Sequence, residues 1–140
     1  MHRTVERMLR TNPEPPFAPM DTLAHCIHAA MECAQVCTAC ADACVAEPAR
    51  GRLDRCIRLS LDCADVCTAA YRILSRQQSP DLAMIAMVVE LCAAACESCA
   101  AECDHHAAYL AHCQVTAATC HRARDACRML MGGHASLLHR

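Results

Sequence analysis

Glu32-Cys33-Ala34-Gln35-Val36-Cys37-Thr38-Ala39-Cys40-Ala41-Asp42-Ala43-Cys44 carries four cysteines at steps of four, three and four. At about 100° per residue, those steps return each sulfur to one narrow face of an α-helix. Cys26, seven residues before Cys33, joins the same face, and the five lie within about 60° of one another on a helical wheel. The stretch therefore reads as a long helix with a stripe of sulfur along one side.

The stripe repeats. Cys92, Cys96, Cys99 and Cys103 have the spacing of Cys33, Cys37, Cys40 and Cys44. Each quartet is followed by a second cysteine helix: Cys56, Cys63 and Cys67 after the first, and Cys113, Cys120 and Cys127 after the other. Two hairpins of similar design are expected to pack face to face. Punctuation supports four segments. Glu47-Pro48-Ala49-Arg50-Gly51 reads as a turn. In Gln78-Ser79-Pro80-Asp81, Ser79 is the expected N-cap, with Pro80 at the first helical position and Asp81 facing the positive helix end. Gly132-Gly133 reads as a helix stop. The segments are roughly 21–46, 52–77, 80–105 and 107–131, the break near Asp104 to Ala108 having neither Gly nor Pro. All are rich in Ala, Leu, Glu, Arg and Met, which favour helix, and 25 residues of helix span about 38 Å. The predicted fold is all-α, an antiparallel four-helix bundle. A short helix over residues 1–10, with Val5, Met8 and Leu9 on one side, and an extended linker carrying Pro13, Pro15, Pro16 and Pro19 precede it. The expected organisation is residues 1–20 for helix and linker, 21–131 for the bundle and 132–140 for a tail.

Composition narrows the chemistry. The chain of 140 residues has 15 cysteines, one Phe, two Tyr and no Trp, so Ala and Cys must fill much of the core. All 13 basic residues are Arg, and the net charge of −2 argues against a nucleic-acid face or a polybasic membrane surface. The longest unbroken apolar run, Leu82 to Val89, is too short to cross a bilayer. The N-terminal residues show no apolar leader pattern, so a cytosolic location is expected. There thiols stay reduced, and dense cysteine points to metal or redox chemistry rather than disulfides. A buried Cys can serve as a small hydrophobe. Yet Val or Ala would fill the same space without the risk of oxidation.

Soft sulfur ligands select Cu(I), Zn(II) or iron–sulfur clusters. A structural zinc site needs four ligands converging on one point, whereas these ligands run as a ladder through an interior. Cu(I) accepts two or three sulfurs, and one thiolate can bridge two ions. The pairs one turn apart are 33/37, 40/44, 63/67, 92/96 and 99/103. Burying thiolates alone is costly; one Cu(I) per thiolate leaves the core neutral and gives a capacity on the order of 15 ions.

The run from Glu32 to Cys44, the run Cys56-Ile57-Arg58-Leu59-Ser60-Leu61-Asp62-Cys63-Ala64-Asp65-Val66-Cys67 and the junction from His106 to Cys113 resemble the copper storage protein family over about residues 21–131. The resemblance implies a four-helix bundle holding many Cu(I) ions through cysteine. For the cytosolic branch it implies a homotetramer without a signal peptide. It places further cysteines where this chain has Ala30, Thr116 and Ala123, and a histidine at the junction position held by Leu110.

Extending the stripes gives the tube two ends. Leu23, Leu74, Ile85, Val88 and Met131 are expected to seal one. Cys44, Cys56, Cys103 and Cys113 mark the other, where His106 lies on the stripe and His105, Tyr109 and His112 are near. Copper is expected to enter there, with His106 and His112 as ligands at a polar mouth and His105 turned outward. His25, His28 and His121 fall off the stripes; His2, His134 and His139 are expected to face solvent. Met84, Met87, Met129 and Met131 read as core or interface. Asp42, Asp62, Asp65, Glu97 and Asp125 read as solvated or paired with Arg. No inward carboxylate pair suits a di-iron site, and no nucleophile–base set or nucleotide fingerprint is present. The leading reading is a Cu(I) store, not an enzyme, supplied by a cytosolic copper chaperone. The alternatives are a ferredoxin-like iron–sulfur carrier, a zinc or thiol buffer, and a redox sensor, which would need an exposed cysteine of low pKa.

Overall fold

The computed structural model describes residues 3–48 and 50–133. Helix α1 covers Arg3–Thr11, α2 Met20–Ala46, α3 Asp54–Leu74, α4 Leu82–Asp104 and α5 Ala111–Gly133, with a 3-10 turn at Arg50–Leu53. Helices α2 to α5 form a ring in which α2 meets α3 and α5, and α4 meets α3 and α5. Among the described residues the diagonal helices have no close backbone approach. Short loops make the neighbours antiparallel, giving the expected four-helix bundle. Helices α2 and α4 are long and apolar enough to cross a membrane by length and composition, although no unbroken apolar run is. In the bundle their Cys and Ala stripes face the other helices instead.

The core is a column of small residues. All 15 cysteines are buried, together with alanines such as Ala30, Ala70, Ala100 and Ala123. Helices packed on Ala and Cys leave room along the axis for sulfur and little else. The apolar end is closed by Leu23, Leu74, Ile85, Val89 and Leu130. Val88 and Met131, the expected stripe positions, are only partly buried. The helical stripe advances by three or four residues, and here it turns onto the neighbouring position in both helices. Met84, Met87 and Met129 are exposed, outside the chain's core.

Helix α1 lays Leu9 and part of Val5 against the bundle, but Met8 is 68% exposed. The proline-rich linker is held by a polar hook. Gln77 is buried; its side chain donates to the Leu74 carbonyl at 2.7 Å and accepts from the Phe17 N–H at 3.1 Å. One amide thus satisfies a helix-end carbonyl and a linker donor.

The helix boundaries shift in three places. Asp81, not Ser79, caps α4, its side chain accepting from the Met84 N–H at 3.1 Å. Ser79 sits at φ +50°, which turns the chain before the helix can begin. The break between α4 and α5 lies at 105–110 and is built from tight turns, with the N–H groups of His106 and Leu110 bonded to the Cys103 and His106 carbonyls. Helix α5 is described through Gly132 to Gly133, the second residue of the expected stop. His2, Ala49, His134, His139 and the proposed tail beyond Gly133 lie outside the described residues.

Candidate metal centre

Each bundle helix delivers its sulfurs to the axis because its cysteines recur at helical steps. The result is one connected chain of atoms. Cys26 Sγ lies 3.8 Å from Cys127 Sγ, and Cys127 in turn interacts with Cys92. Cys92 lies 3.7 Å from Cys67, and Cys67 lies 3.7 Å from Cys96 and 3.9 Å from Cys63. Cys33 is the hub, with Cys37, Cys63, Cys96 and Cys120 at 3.7–3.9 Å. Its contact with Cys96, and that of Cys37 with Cys99 at 4.0 Å, cross the diagonal between α2 and α4. Cys99 leads on to Cys103, which lies 3.7 Å from Cys56. Cys56 leads at 4.0 Å to Cys44, which neighbours Cys40 and Cys113.

Four groups draw their ligand atoms within 4.8 Å of one another: Cys33/Cys63/Cys67/Cys96, Cys33/Cys37/Cys63/Cys120, Cys40/Cys56/Cys103 and Cys40/Cys44/His112/Cys113. With metal–sulfur bonds of about 2.3 Å, sulfurs stand about 3.8 Å apart in a tetrahedron and about 4.0 Å apart in a trigonal plane. The spacings above match both. What separates the metals is sharing. Cys33, Cys63 and Cys40 each belong to two groups, so ions filling neighbouring groups together would share thiolates, which suits soft Cu(I). An iron–sulfur cubane spreads its cysteines over the corners of a cluster; these groups close on single ions instead.

Proton sharing prepares the core. The Cys63 thiol is pulled down to about 6, chiefly by S–H donation from Cys120. Cys33 is also lowered, again mainly by Cys120. Near the polar end, burial pushes Cys113 up to about 12 and raises Cys44. Burial by itself favours the neutral thiol, and S–H donation from a neighbour favours the thiolate that accepts it.

The predicted histidines part company. His112 places Nδ1 3.7–3.9 Å from the sulfurs of Cys40, Cys44 and Cys113, while Nε2 lies 3.0 Å from Glu47 Oε1. Burial alone would lower its pKa, but Cys40 and Glu47 outweigh that and raise it. A carboxylate on the far nitrogen is the arrangement that orients a ligating imidazole. His106, which the stripe favoured, is buried with both nitrogens engaged: Nδ1 at 2.6 Å from the Tyr109 hydroxyl and Nε2 at 2.9 Å from Glu102 Oε2. Glu102 is shared with Arg55 at 3.4 Å. Glu102 lies one helical turn before His106, a spacing that could have found it, whereas Tyr109 reaches the ring from the turn beyond α4. His105 is exposed as expected, and His121 bonds Asp104 at 3.0 Å.

Sequence reasoning did not anticipate Glu47 as the partner of His112, nor Ser60 Oγ beside Cys99 at 3.7 Å. Ser60 lies between Cys56 and Cys63 at helical spacing, a signal that could have found it. The surface carboxylates fit the ion-pair reading: Arg58 with Asp62, Arg128 with Glu97 and Arg124 with Asp125, at 2.9–3.0 Å, while Asp42 and Asp65 are exposed.

The copper storage protein family model matches residues 20–132. A copper storage protein from Streptomyces lividans, loaded with 10 copper equivalents, is 42% identical with a TM-score of 0.90, covering 92% of this chain and 98% of that one. A cytosolic copper storage protein from the same organism, with five coppers, is 44% identical with a TM-score of 0.80, covering 81% and 94%. A variant of the S. lividans protein with one histidine replaced by alanine is 43% identical with a TM-score of 0.82, covering 83% and 97%. No curated protein sequence matches the chain. A helical bundle, a continuous interior of shared thiols and a family match over nearly the whole bundle agree: this chain belongs to the copper storage protein family.

Proposed function

We propose that this chain holds on the order of 10–20 Cu(I) ions through its fifteen cysteines, bridged along the bundle axis, with His112 as a nitrogen ligand at the polar end. His106 supports that end as part of the Glu102–Tyr109 network and is available to copper only if that network opens. The observation that carries the proposal is the single connected chain of buried free thiols. The protein acts as a store rather than an enzyme, in the cytosol like the relative from S. lividans. A copper chaperone is its expected supplier. Association into a homotetramer is favoured by exposed apolar side chains on the helix faces, among them Met87, Leu91 and Met129.

Anaerobic titration of the fully reduced protein with Cu(I), against a competing Cu(I) chelator, tests this. Saturation near or above about 10 ions per chain with the chelator outcompeted is expected from thiolate bridging. Saturation at about one to four ions would instead fit unshared tetrahedral sites and redirect attention to zinc. Zinc is the second reading because two of the groups supply four thiols each; competition between Zn(II) and Cu(I) separates them. Sedimentation of the apo and loaded protein tests the tetramer.

A further inference from the structure

We infer that Cu(I) is admitted sideways, through a cleft between α2 and α5, onto Cys40 and His112, rather than along the bundle axis past His106. The inference deepens the storage reading and rests on it. The cleft has a volume of about 350 Å³. Val36, Ala39, Ala43 and Val115 wall it, and Cys40 and His112 bring donor atoms to it. Alanine at two wall positions leaves space that a larger side chain would fill. Cys40 is 2% exposed, against 0–1% for the other fourteen cysteines, and the His112 side chain is 25% exposed. Here a cysteine of the sulfur column and the partly exposed imidazole of His112 line one opening.

The other approaches lack this combination. At the axial end a depression of about 260 Å³ is lined by Glu47, Tyr109, Leu53 and Leu110, with no sulfur. Leu53 is buried, and His106 is locked between Tyr109 and Glu102. A groove between α3 and α4 touches Cys63, but that sulfur is fully buried and no imidazole accompanies it. An ion received by Cys40 has somewhere to go, because Cys40 belongs both to the group with His112 and to the group with Cys56 and Cys103. Intake is a ligand exchange. As the Cys40 sulfur–copper bond forms, the bond to a carrier thiolate breaks, and the thiol proton of Cys40 passes to that thiolate. Copper remains Cu(I) throughout.

The test supplies Cu(I) anaerobically as its glutathione complex and follows uptake by ultraviolet sulfur-to-copper absorption. Val115→Trp and Ala39→Phe place bulk over the cleft at exposed positions, so the fold is retained; circular dichroism checks this. Both should slow uptake by about tenfold, because admission must then wait for the helices to separate, with final capacity unchanged. Tyr109→Ala, which opens the axial end, should leave the rate as it is. Brief iodoacetamide labelling of the reduced apoprotein, mapped by peptide mass, should modify Cys40 first. Parental rates in both cleft variants, a faster Tyr109→Ala, or first labelling at Cys63, Cys56 or Cys103 would overturn the lateral route. A low capacity in the parent protein would instead overturn the storage reading, so the two failures are distinct.

Discussion

Replacing Cys33 by Ala removes a sulfur at the centre of the column. Cys33 Sγ stands 3.7–3.9 Å from Cys37, Cys63, Cys96 and Cys120, and it belongs to two of the four metal groups. If ions are bridged through shared thiolates, the substitution should lower capacity by about two ions per chain. Cys127→Ala removes a sulfur at the end of the column, outside all four groups, and should cost about one. The apo fold should survive both changes. Deleting one buried heavy atom costs about 0.5–1.5 kcal/mol, as in Ile→Val. For a chain of this size that lowers Tm by about 2–6 °C. The assay is anaerobic Cu(I) titration with a competing chelator, confirmed by native mass spectrometry, with circular dichroism for the apo Tm. Unchanged capacity in Cys33→Ala, or the same loss in both variants, would refute sharing and leave independent sites.

Three further outcomes are expected. Thr116 is buried against the polar end, so Thr116→Cys should add about one Cu(I) by supplying another bridging thiolate, read by the same titration. Reduced apoprotein should lose stability as pH rises: Cys113 stays neutral to about 12 and Cys44 is also raised, while the unfolded thiols ionise from about 8.5. Their stabilisation is complete below that pH and falls by up to about 1.4 kcal/mol per unit for each such thiol above it; denaturant melts from pH 8.5 to 10, where the lowered thiols Cys33 and Cys63 no longer contribute a slope, should show the decline, and copper-loaded protein should not share it. Asp81→Ala, which removes the only side-chain cap on α4, should cost about 1 kcal/mol in thermal melts while copper capacity stays at the parental value.

Periodicity along the chain carries most of the fold. Steps of three, four and seven put Cys26 to Cys44 on one face, and the same arithmetic held for the other helices because a helix has a fixed angle per residue. The bundle, the sulfur-lined core and the burial of all fifteen thiols follow from that angle together with the need to bury each stripe. Ala30, Thr116 and Ala123, where the resemblance implies further cysteines, are buried as well.

What periodicity does not reach is the contact between one side chain and its neighbours in space. Phase along one helix ranked His106 above His112, yet Glu102 and Tyr109 occupy both nitrogens of His106, while α2 brings Cys40 and Cys44 to the Nδ1 of His112. The start of α4 moved from Ser79 to Asp81 because a left-handed residue and a competing carboxylate act together at that turn. Val89 and Leu130 close the apolar end because packing between helices, not the wheel alone, chooses between adjacent stripe positions. A spacing fixes direction around one axis. Contact distances, shared ligands and an opening to solvent depend on how neighbouring axes lie against each other, and that is set by the packing of small residues between them.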